Sequence, residues 1–342
     1  MYKKRFYYVL CLKRDEGNEY IIMNKKFKSV FQPYMYRALL LFSLFIMVSI
    51  LSFISPYFLT LNNIKNILDQ TSLYIILSIG MTFVICSGGI DLSMGSVIAL
   101  SSVASAFAMK ANLNVIISIF IGLAIAMSVG AFNGCIISFL KINPFIVTLS
   151  TMSIIRGTTL VITDGKPLYG FPKAFTHLGN GDVGFFNFAI IIAFFVMIIG
   201  MVLLGKTRFG NYTISMGCNE EALRRNGVNT NKYKVWVYIL CGLCAGISGI
   251  VISARLNTAE PLAGVGYEMD AIAAVVLGGS DMRGGKGSVI DTFIACIVLG
   301  VINNGLRIMT ISSNYQQLLI GIIILLTVSL SEYKQRRRIK VI

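Results

Sequence analysis

Long stretches without a charged residue recur along this 342-residue chain and limit its possible folds more than any other feature. An α-helix needs about 20 apolar residues to cross the hydrocarbon core of a bilayer. Only helices and closed barrels satisfy their backbone polar groups in lipid, and these stretches lack the alternation typical of membrane strands. The sequence therefore predicts an all-α polytopic membrane protein with about ten transmembrane helices, some short or broken at Gly-rich turns. The predicted spans are residues 38–64, 71–90, 92–109, 111–140, 142–155 with an extension past Arg156, 183–205, 235–254, 271–280, 292–306 and 308–331.

Composition agrees with this prediction and excludes an ordinary soluble globule. Hydrophobic residues make up 56% of the chain and charged residues only 13%, against about a quarter in soluble domains. The net charge is +15. If the N-terminus is cytoplasmic and the chain crosses ten times, 23 Lys and Arg residues fall on the cytoplasmic face and six on the other face. This asymmetry fits the positive-inside rule, so the basic excess indicates orientation, with both termini cytoplasmic, and not binding to nucleic acid.

Charge also divides the chain into regions. Residues 1–33 form a predicted basic cytoplasmic tail, whose part before Met23 is either a mis-assigned start or a disordered segment. Residues 34–331 form the predicted transmembrane domain, and residues 332–342 a second basic cytoplasmic tail. The longest internal polar segment, 206–234, lies on the predicted cytoplasmic face.

A polar, Gly-rich break at residues 87–97 separates two apolar runs. Gly88, Gly89, Asp91 and Ser93 lie within it, and the pair Asp91 and Ser93 resembles a helix start with an acid near the positive end of the dipole. Two interpretations are open. The segment is either a tight cytoplasmic turn with a cap, or a discontinuous element that lines a translocation path.

Residues 278–289 repeat this pattern, because both segments contain G-G-x-D followed by G-S-V. Internal repeats are common in transporter folds. The second segment is not a phosphate-binding loop, since Gly287 separates Lys286 from Ser288, and no such loop occurs elsewhere in the sequence. With one His and no G-x-S-x-G, the chain offers little for catalysis, a metal or a cofactor, and we predict that it is not an enzyme.

Within the polar segment 206–234, a short helix is predicted with a cap at its start and a Gly at its end. Such a helix either lies on lipid headgroups or docks onto a soluble partner. Its residues are Asn219 as the cap, Glu220, Glu221, Ala222, Leu223, Arg224, Arg225 and Gly227 as the stop.

The order Glu221-Ala222-Leu223-x-x-x-Gly227 resembles the E-A-A-x-x-x-G loop by which permease subunits of ATP-binding-cassette importers contact their ATPases, with Leu223 replacing the second Ala. Further stretches are similar to the ribose-type branch of these permeases, and the similarity extends from about Phe58 to Ser331. They are Gly88–Ser93, Asn143–Leu149, Arg156-Gly157, Asp270–Gly279 and Asn303–Gly305.

The resemblance implies a permease subunit of an importer for ribose or a related monosaccharide, located in the bacterial cytoplasmic membrane and with no cofactor of its own. The implied partners are ABC ATPase subunits, an extracytoplasmic sugar-binding protein, a second permease chain (identical or a close paralogue) and the lipid bilayer. ATPase coupling is assigned to residues 219–225 and Gly227. The candidates for the translocation path or its gate are Gly88, Gly89, Asp91, Ser93, Asn143, Pro144, Phe145, Asp270, Asn303 and Asn304.

Acidic residues in or beside the spans leave an alternative, an ion-coupled secondary transporter, and a channel for a small polar solute is a further one. The acids are Asp91, Glu268, Asp270, Asp281 and Asp291. Arg156 lies inside a predicted span, where it either reaches the membrane surface or pairs with a helix end. The sequence assigns no role to His177.

Overall fold

A computed structural model describes residues 19–311 and, beyond them, residues 315, 318, 321, 322 and 325. The tail 332–342, the first 18 residues and most of the predicted span 308–331 lie outside the described residues.

Eleven helices and four two-residue strands make up the described part of the chain. The helices are α1 (Glu19–Ile54), α2 (Leu61–Cys86), α3 (Met94–Lys110), α4 (Val115–Phe139), α5 (Pro144–Thr163), α6 (Lys173–Asn180), α7 (Phe188–Lys206), α8 (Arg208–Arg225), α9 (Thr230–Leu256), α10 (Tyr267–Leu277) and α11 (Val289–Ile308). The strands β1 (Leu168–Tyr169) and β4 (Thr258–Ala259) pair antiparallel, as do β2 (Asp182–Val183) and β3 (Phe186–Asn187).

Seven of the described helices, α1, α2, α4, α5, α7, α9 and α11, are long and apolar enough to cross a bilayer. Two further apolar helices are shorter, since α3 has 17 residues and α10 has 11. The chain is thus an all-α multi-pass membrane protein, as the sequence predicts, and some of its membrane segments are short.

The bundle has two ends that differ in what they carry. One end, here called the basic end, brings together the end of α2, the α4–α5 turn, α8 and the loop between α10 and α11. The other end carries the two strand pairs and α6. The long helices α2 and α4 both end at the basic end, and α9 and α11 both begin near it, so the short helices α3 and α10 provide the return crossings between them.

The boundary between the first two predicted spans is placed wrongly by charge alone. The stretch 38–64 is not one helix, because α1 ends at Ile54, just before Pro56, and α2 begins at Leu61. Proline lacks the N–H that a continuing helix needs. The Thr60 hydroxyl then accepts the Asn63 N–H at 3.4 Å and caps the new helix. At its other end α1 begins at Glu19, inside the segment 1–33 that is predicted as a tail.

Helix α10 crosses only half of the bundle. Its first residue, Tyr267, packs on Tyr74 with ring centroids 5.4 Å apart, and Tyr74 lies midway along α2. Eleven residues span about 16 Å, whereas a full crossing needs about 30 Å. The irregular segment 257–266, here called the re-entrant segment, leads from the end of α9 to this midpoint. The predicted span 271–280 is therefore a half helix that an irregular segment completes.

Helices α2 and α9 form the centre of the bundle, and small residues allow their neighbours to approach closely. Of the most apolar part of α2, 78% is buried, against 22% for α4 and for α5, whose outer faces are open. Gly130 of α4 lies directly on the backbone of α9, where a Cβ would overlap the Tyr238 carbonyl oxygen. The α4–α9 interface therefore depends on this glycine.

We expect Gly130→Ala to destabilise the protein by about 1–3 kcal/mol, because the added methyl group must push two helix backbones apart. Thermal unfolding in detergent measures the effect. Gly205→Ala on α7 is the matched control, since nothing lies within 4 Å of its Cβ position. Equal unfolding temperatures for the two variants would show that the close contact does not limit stability.

Candidate functional site

A cleft of about 560 Å³ opens at the basic end of the bundle. Five segments line it: the turn after α2, the α4–α5 turn, the end of α8, the start of α9 and the α10–α11 loop. Basic side chains predominate at its rim, with two acids on one wall. Lining residues that matter below are Gly88, Gly89, Asn143, Pro144, Gly217, Glu220, Glu221, Arg224, Lys234 and Arg283.

Helix α8 bends at Asn219, where the backbone leaves helical geometry with φ −161° and ψ 96°. The Asn219 side chain accepts the Ala222 N–H at 2.9 Å, so it caps a separate short helix over residues 220–225. Gly227 follows with φ +81°, a left-handed conformation that favours glycine and ends the helix. The predicted cap and stop are both confirmed. The segment 219–227 is here called the surface helix.

Charges on the surface helix are largely paired within the chain, yet they are accessible to a partner. Glu221 bonds both Arg224 and Arg225 along the helix, and its side chain is 50% exposed. Glu220 binds Lys234 of α9 at 2.7 Å, which ties the surface helix to a central helix. Exposed ion pairs contribute at most about 1 kcal/mol each, so a partner protein can replace them at little cost.

Helix α8 and two turns meet behind the surface helix at four glycines, Gly88, Gly217, Gly284 and Gly285, here called the glycine junction. The Gly285 N–H donates to the Cys86 carbonyl at 2.9 Å, which links the α10–α11 loop to the end of α2. A Cβ on Gly284 would lie 2.7 Å from the Gly88 nitrogen, and one on Gly217 would overlap the Cys86 carbonyl. Side chains would therefore separate α8 from both turns.

The two G-G-x-D segments form the same helix-ending turn, but in a register shifted by one residue. Gly88 and Gly279 both have positive φ, +84° and +80°. After them, Gly89 N–H donates to the Val84 carbonyl at 3.0 Å and Ser280 N–H to the Val275 carbonyl at 3.2 Å. The aspartates consequently differ. Asp281 bonds the Arg283 N–H inside its own loop at 3.0 Å, whereas Asp91 points into the bundle.

Asp91 begins a buried chain of hydrogen bonds that joins three elements. Its Oδ1 accepts the N–H and the hydroxyl of Ser93 at 2.9 and 2.6 Å. The Asn133 amide of α4 donates to the Ser93 hydroxyl at 2.9 Å, and the Thr151 hydroxyl of α5 donates to Asn133 at 2.7 Å. All four side chains are buried. These hydrogen bonds fix the start of α3, and the break at 87–97 contains a turn between α2 and α3.

The other path candidates do not lie together. Asn143 caps α5 by accepting the Phe145 N–H at 2.9 Å, and Phe145 is exposed beside the cleft at the basic end. Asn304 exchanges two hydrogen bonds with Asn63 at 2.9 and 3.0 Å, which joins α11 to α2. Asn303 is buried on α11, and Asp270 is half-buried on α10. The structure thus places these residues in three separate locations.

Sequence reasoning missed several residues of the cleft. Lys234 and Arg283 bring positive charge to it from α9 and from the α10–α11 loop, and Gly217 provides the close contact. Lys234 lies fourteen residues from its partner Glu220, so the pair has none of the three- or four-residue spacing that indicates an ion pair along a helix. A single glycine such as Gly217 forms no recognisable motif. No group of three or more potential metal-ligating side chains occurs among the residues that the structure describes.

A multi-pass helical bundle with a capped surface helix over a cleft at one end is the architecture of a transmembrane transport subunit. Comparison with known families makes this specific, because residues 63–328 match the family model described as "Branched-chain amino acid transport system / permease component". That match covers more than half of the chain, and the chain belongs to this permease family.

Relatives of this chain include several sugar permeases. The ribose import permease protein RbsC of Escherichia coli (strain K12) is 42% identical over 305 residues, covering 86% of this chain and 93% of RbsC. RbsC of Bacillus subtilis (strain 168) is 41% identical over 293 residues, 85% and 91% of the two chains. The D-allose transport system permease protein AlsC of E. coli (strain K12) is 38% identical over 291 residues, 84% and 89%. These relatives confirm the resemblance to ribose-type permeases; no solved structure matches the chain.

We expect Asn133→Ala to destabilise the protein by about 1–3 kcal/mol, because it leaves Ser93 and Thr151 buried with fewer partners. Thermal unfolding in detergent, compared with wild type, measures the loss. Ser128→Ala on the same helix is the control, since its exposed hydroxyl bonds only the Ala124 carbonyl of its own helix. A similar loss of stability for both variants would show that the buried hydrogen bonds from Asp91 to Thr151 contribute no more than an exposed one.

Proposed function

We propose that this chain is the permease subunit of an ATP-driven importer that carries ribose or a related monosaccharide across the bacterial cytoplasmic membrane. The match to the permease family and the identity to ribose and allose permeases support this proposal. The chain has no phosphate-binding loop in its sequence, so ATP hydrolysis belongs to partner subunits. This subunit provides the membrane path and converts the motion of the ATPases into access.

The surface helix is the single observation that carries the assignment of ATPase coupling. It is a short rigid element, capped by Asn219 and ended by Gly227, and it presents exposed charge at the basic end. Residues Asn219–Arg225 and Gly227 dock onto the ATPase in our proposal. Closure of the ATPase pair then pulls this helix, and the bundle rocks between outward-open and inward-open states.

Orientation follows from the distribution of charge. The basic end carries Lys and Arg residues of the α4–α5 turn, of segment 206–234 and of the α10–α11 loop, and the positive-inside rule assigns that end to the cytoplasm. In our proposal both tails, 1–33 and 332–342, are cytoplasmic, residues 34–331 form the permease domain, and 206–234 form its coupling segment.

The opposite end is the contact for an extracytoplasmic sugar-binding protein in this proposal. Between α5 and α7 it carries α6 and the strand pairs, and the ion pair of Lys65 with Asp182 at 2.7 Å fixes this segment to α2. A second permease chain, identical or a close paralogue, completes the path. The open outer faces of α4 and α5 agree with a further helical neighbour.

We expect Gly227→Pro to abolish co-purification of the ATPase while the permease stays in the membrane. Proline requires φ near −65°, whereas Gly227 has φ +81°, so the surface helix loses its stop. Pull-down of the ATPase subunit with the tagged permease measures the effect.

We expect the charge reversal Glu221→Arg to have the same result, because it removes the acid that orders Arg224 and Arg225.

Gly184→Pro is the matched control for the proline variant. Gly184 also has positive φ, +64°, and nothing lies within 4 Å of its Cβ position, as at Gly227, but it lies at the opposite end. This control retains the ATPase if the surface helix is the docking element. Retention by Gly227→Pro and Glu221→Arg, or loss by all three variants, would refute the docking assignment.

Ion coupling or simple channel activity is the alternative function. If our proposal is correct, uptake of labelled ribose persists in cells whose proton gradient is collapsed but whose ATP is maintained, and it stops when ATP is depleted. Loss of uptake with the gradient indicates an ion-coupled transporter, and ATP-independent equilibration indicates a channel. Substitution of ribose by other labelled monosaccharides in the same assay identifies the substrate.

A further inference from the structure

The re-entrant segment is held inside the bundle by a charged residue of α5. Arg156 donates through Nη1 to the carbonyl oxygens of Pro261 and Ala263 at 2.8 and 2.9 Å. Both carbonyls belong to irregular backbone, which is tolerated at membrane depth only where protein or water satisfies it. Arg156 lies about 18 Å along α5 from Pro144, well inside the bundle. It therefore lies away from the basic end, and its partners are loop carbonyls and not a helix end.

Glu268 lies at the other end of the same segment, in the first turn of α10. Glu268 is only 4% exposed. The backbone N–H groups of Gly266 and of Glu268 itself stabilise its carboxylate. Its Oε2 atom approaches Gly95 of α3, where any side chain would overlap the carboxylate. The start of α10 is thus packed tightly on the start of α3.

Arg156 and Glu268 each keep one buried polar atom without a partner. Among the residues that the structure describes, Arg156 Nη2 and Glu268 Oε2 have no hydrogen-bond partner, so these two atoms are not bonded to each other. Their opposite charges nevertheless attract each other across the gap. A buried donor and a buried acceptor that remain unpaired are costly, and a conformation that brings them together recovers this cost.

The re-entrant segment is suited to such a movement. It contains no helix between α9 and α10, and Gly264 and Gly266 have positive φ, +74° and +86°. Leu262 and Val265 are more than half exposed, so few contacts fix the outer surface of the segment. The segment is thus packed on its inner side, where Gly264 contacts Gly95, and open on its outer side, and its two positive-φ glycines are hinge positions at which it can move.

We propose that Arg156 and Glu268 are positioning residues of the transport cycle. They stand apart in the conformation described here and join as an ion pair in the alternate conformation of the transporter. Their approach moves the re-entrant segment. This inference rests on the proposed importer function. In this role the ion pair stabilises the alternate conformation, and its separation returns the transporter to the conformation described here.

The test uses the complete importer in proteoliposomes, with permease, ATPase and binding protein. Glu268→Gln and Arg156→Gln each lower ribose transport about tenfold while ATP hydrolysis continues, so ATP consumed per sugar rises by a similar factor. Because the residues act as a pair, the double variant is no worse than the more defective single variant. Arg156→Lys keeps the charge and restores part of the transport.

Glu260→Gln is the matched control, because it removes one acid from the same segment at a half-buried position. Transport by this control equals wild type. Wild-type transport by Glu268→Gln, additive losses in the double variant, or equal losses of transport and ATP hydrolysis would each overturn the inference. If the wild-type importer itself takes up no ribose with ATP, the proposed function fails instead.

A second measurement keeps the inference testable if a charge variant does not fold. Spin labels at Ser153 of α5 and Val265 of the segment, both exposed positions, report the distance between the two elements. We expect this distance to change between the nucleotide-free and the ATP-bound complex. An unchanged distance would overturn the inference.

Discussion

An unpaired backbone amide inside a bilayer costs several kcal/mol, and two breaks in this helical bundle have polar side chains that avoid this cost. In the break after α2, the Ile90 carbonyl accepts hydroxyl groups of Thr148 and Tyr238 at 3.3 and 3.5 Å. In the re-entrant segment, Arg156 binds two carbonyls. Polar residues inside the bundle therefore serve the backbone, whatever their part in transport.

Close backbone contact is the second constraint, and it makes the basic end a single mechanical unit. At the glycine junction, turns from α2, α8 and the α10–α11 loop touch without intervening side chains. Packed protein is poorly compressible, so a displacement of α8 is transmitted to both turns. A layer of flexible side chains at the same place would absorb part of that movement.

Features that depend on local chemistry could be predicted from the sequence. The cap at Asn219 and the stop at Gly227 need only neighbouring residues, and both were correct. The predicted boundary between α1 and α2 was wrong. The break between these helices lies at the uncharged Pro56, whereas the prediction placed helix ends at charged residues. The sequence correctly predicted a short membrane segment at this point, because the charge-free stretch 271–280 has only ten residues, but the re-entrant segment before it was not predicted, since its Pro and Gly residues fit an ordinary loop equally well.

Features that depend on distant partners could not be predicted. Gly88, Gly217 and Gly284 are separated by more than sixty residues from one another, and their contact leaves no pattern in the chain. The partners of Arg156 are backbone carbonyls, which every residue possesses, so no side-chain pairing marks them in the sequence. The shifted register of the two G-G-x-D turns was hidden for a similar reason, because the turn is defined by φ angles and not by the position of the aspartate.

Helix α10 connects the two proposed roles of this chain. One of its ends continues into the loop that touches α8 at the glycine junction, and its other end carries Glu268 beside the re-entrant segment. An 11-residue helix is a stiff rod of about 16 Å. In the mechanism that we propose, the ATPases move the surface helix, the glycine junction moves α10 along with it, and Glu268 shifts relative to Arg156 on α5. A half-length helix suits this proposed role better than a full crossing, because its inner end acts at the middle of the bundle, beside the re-entrant segment.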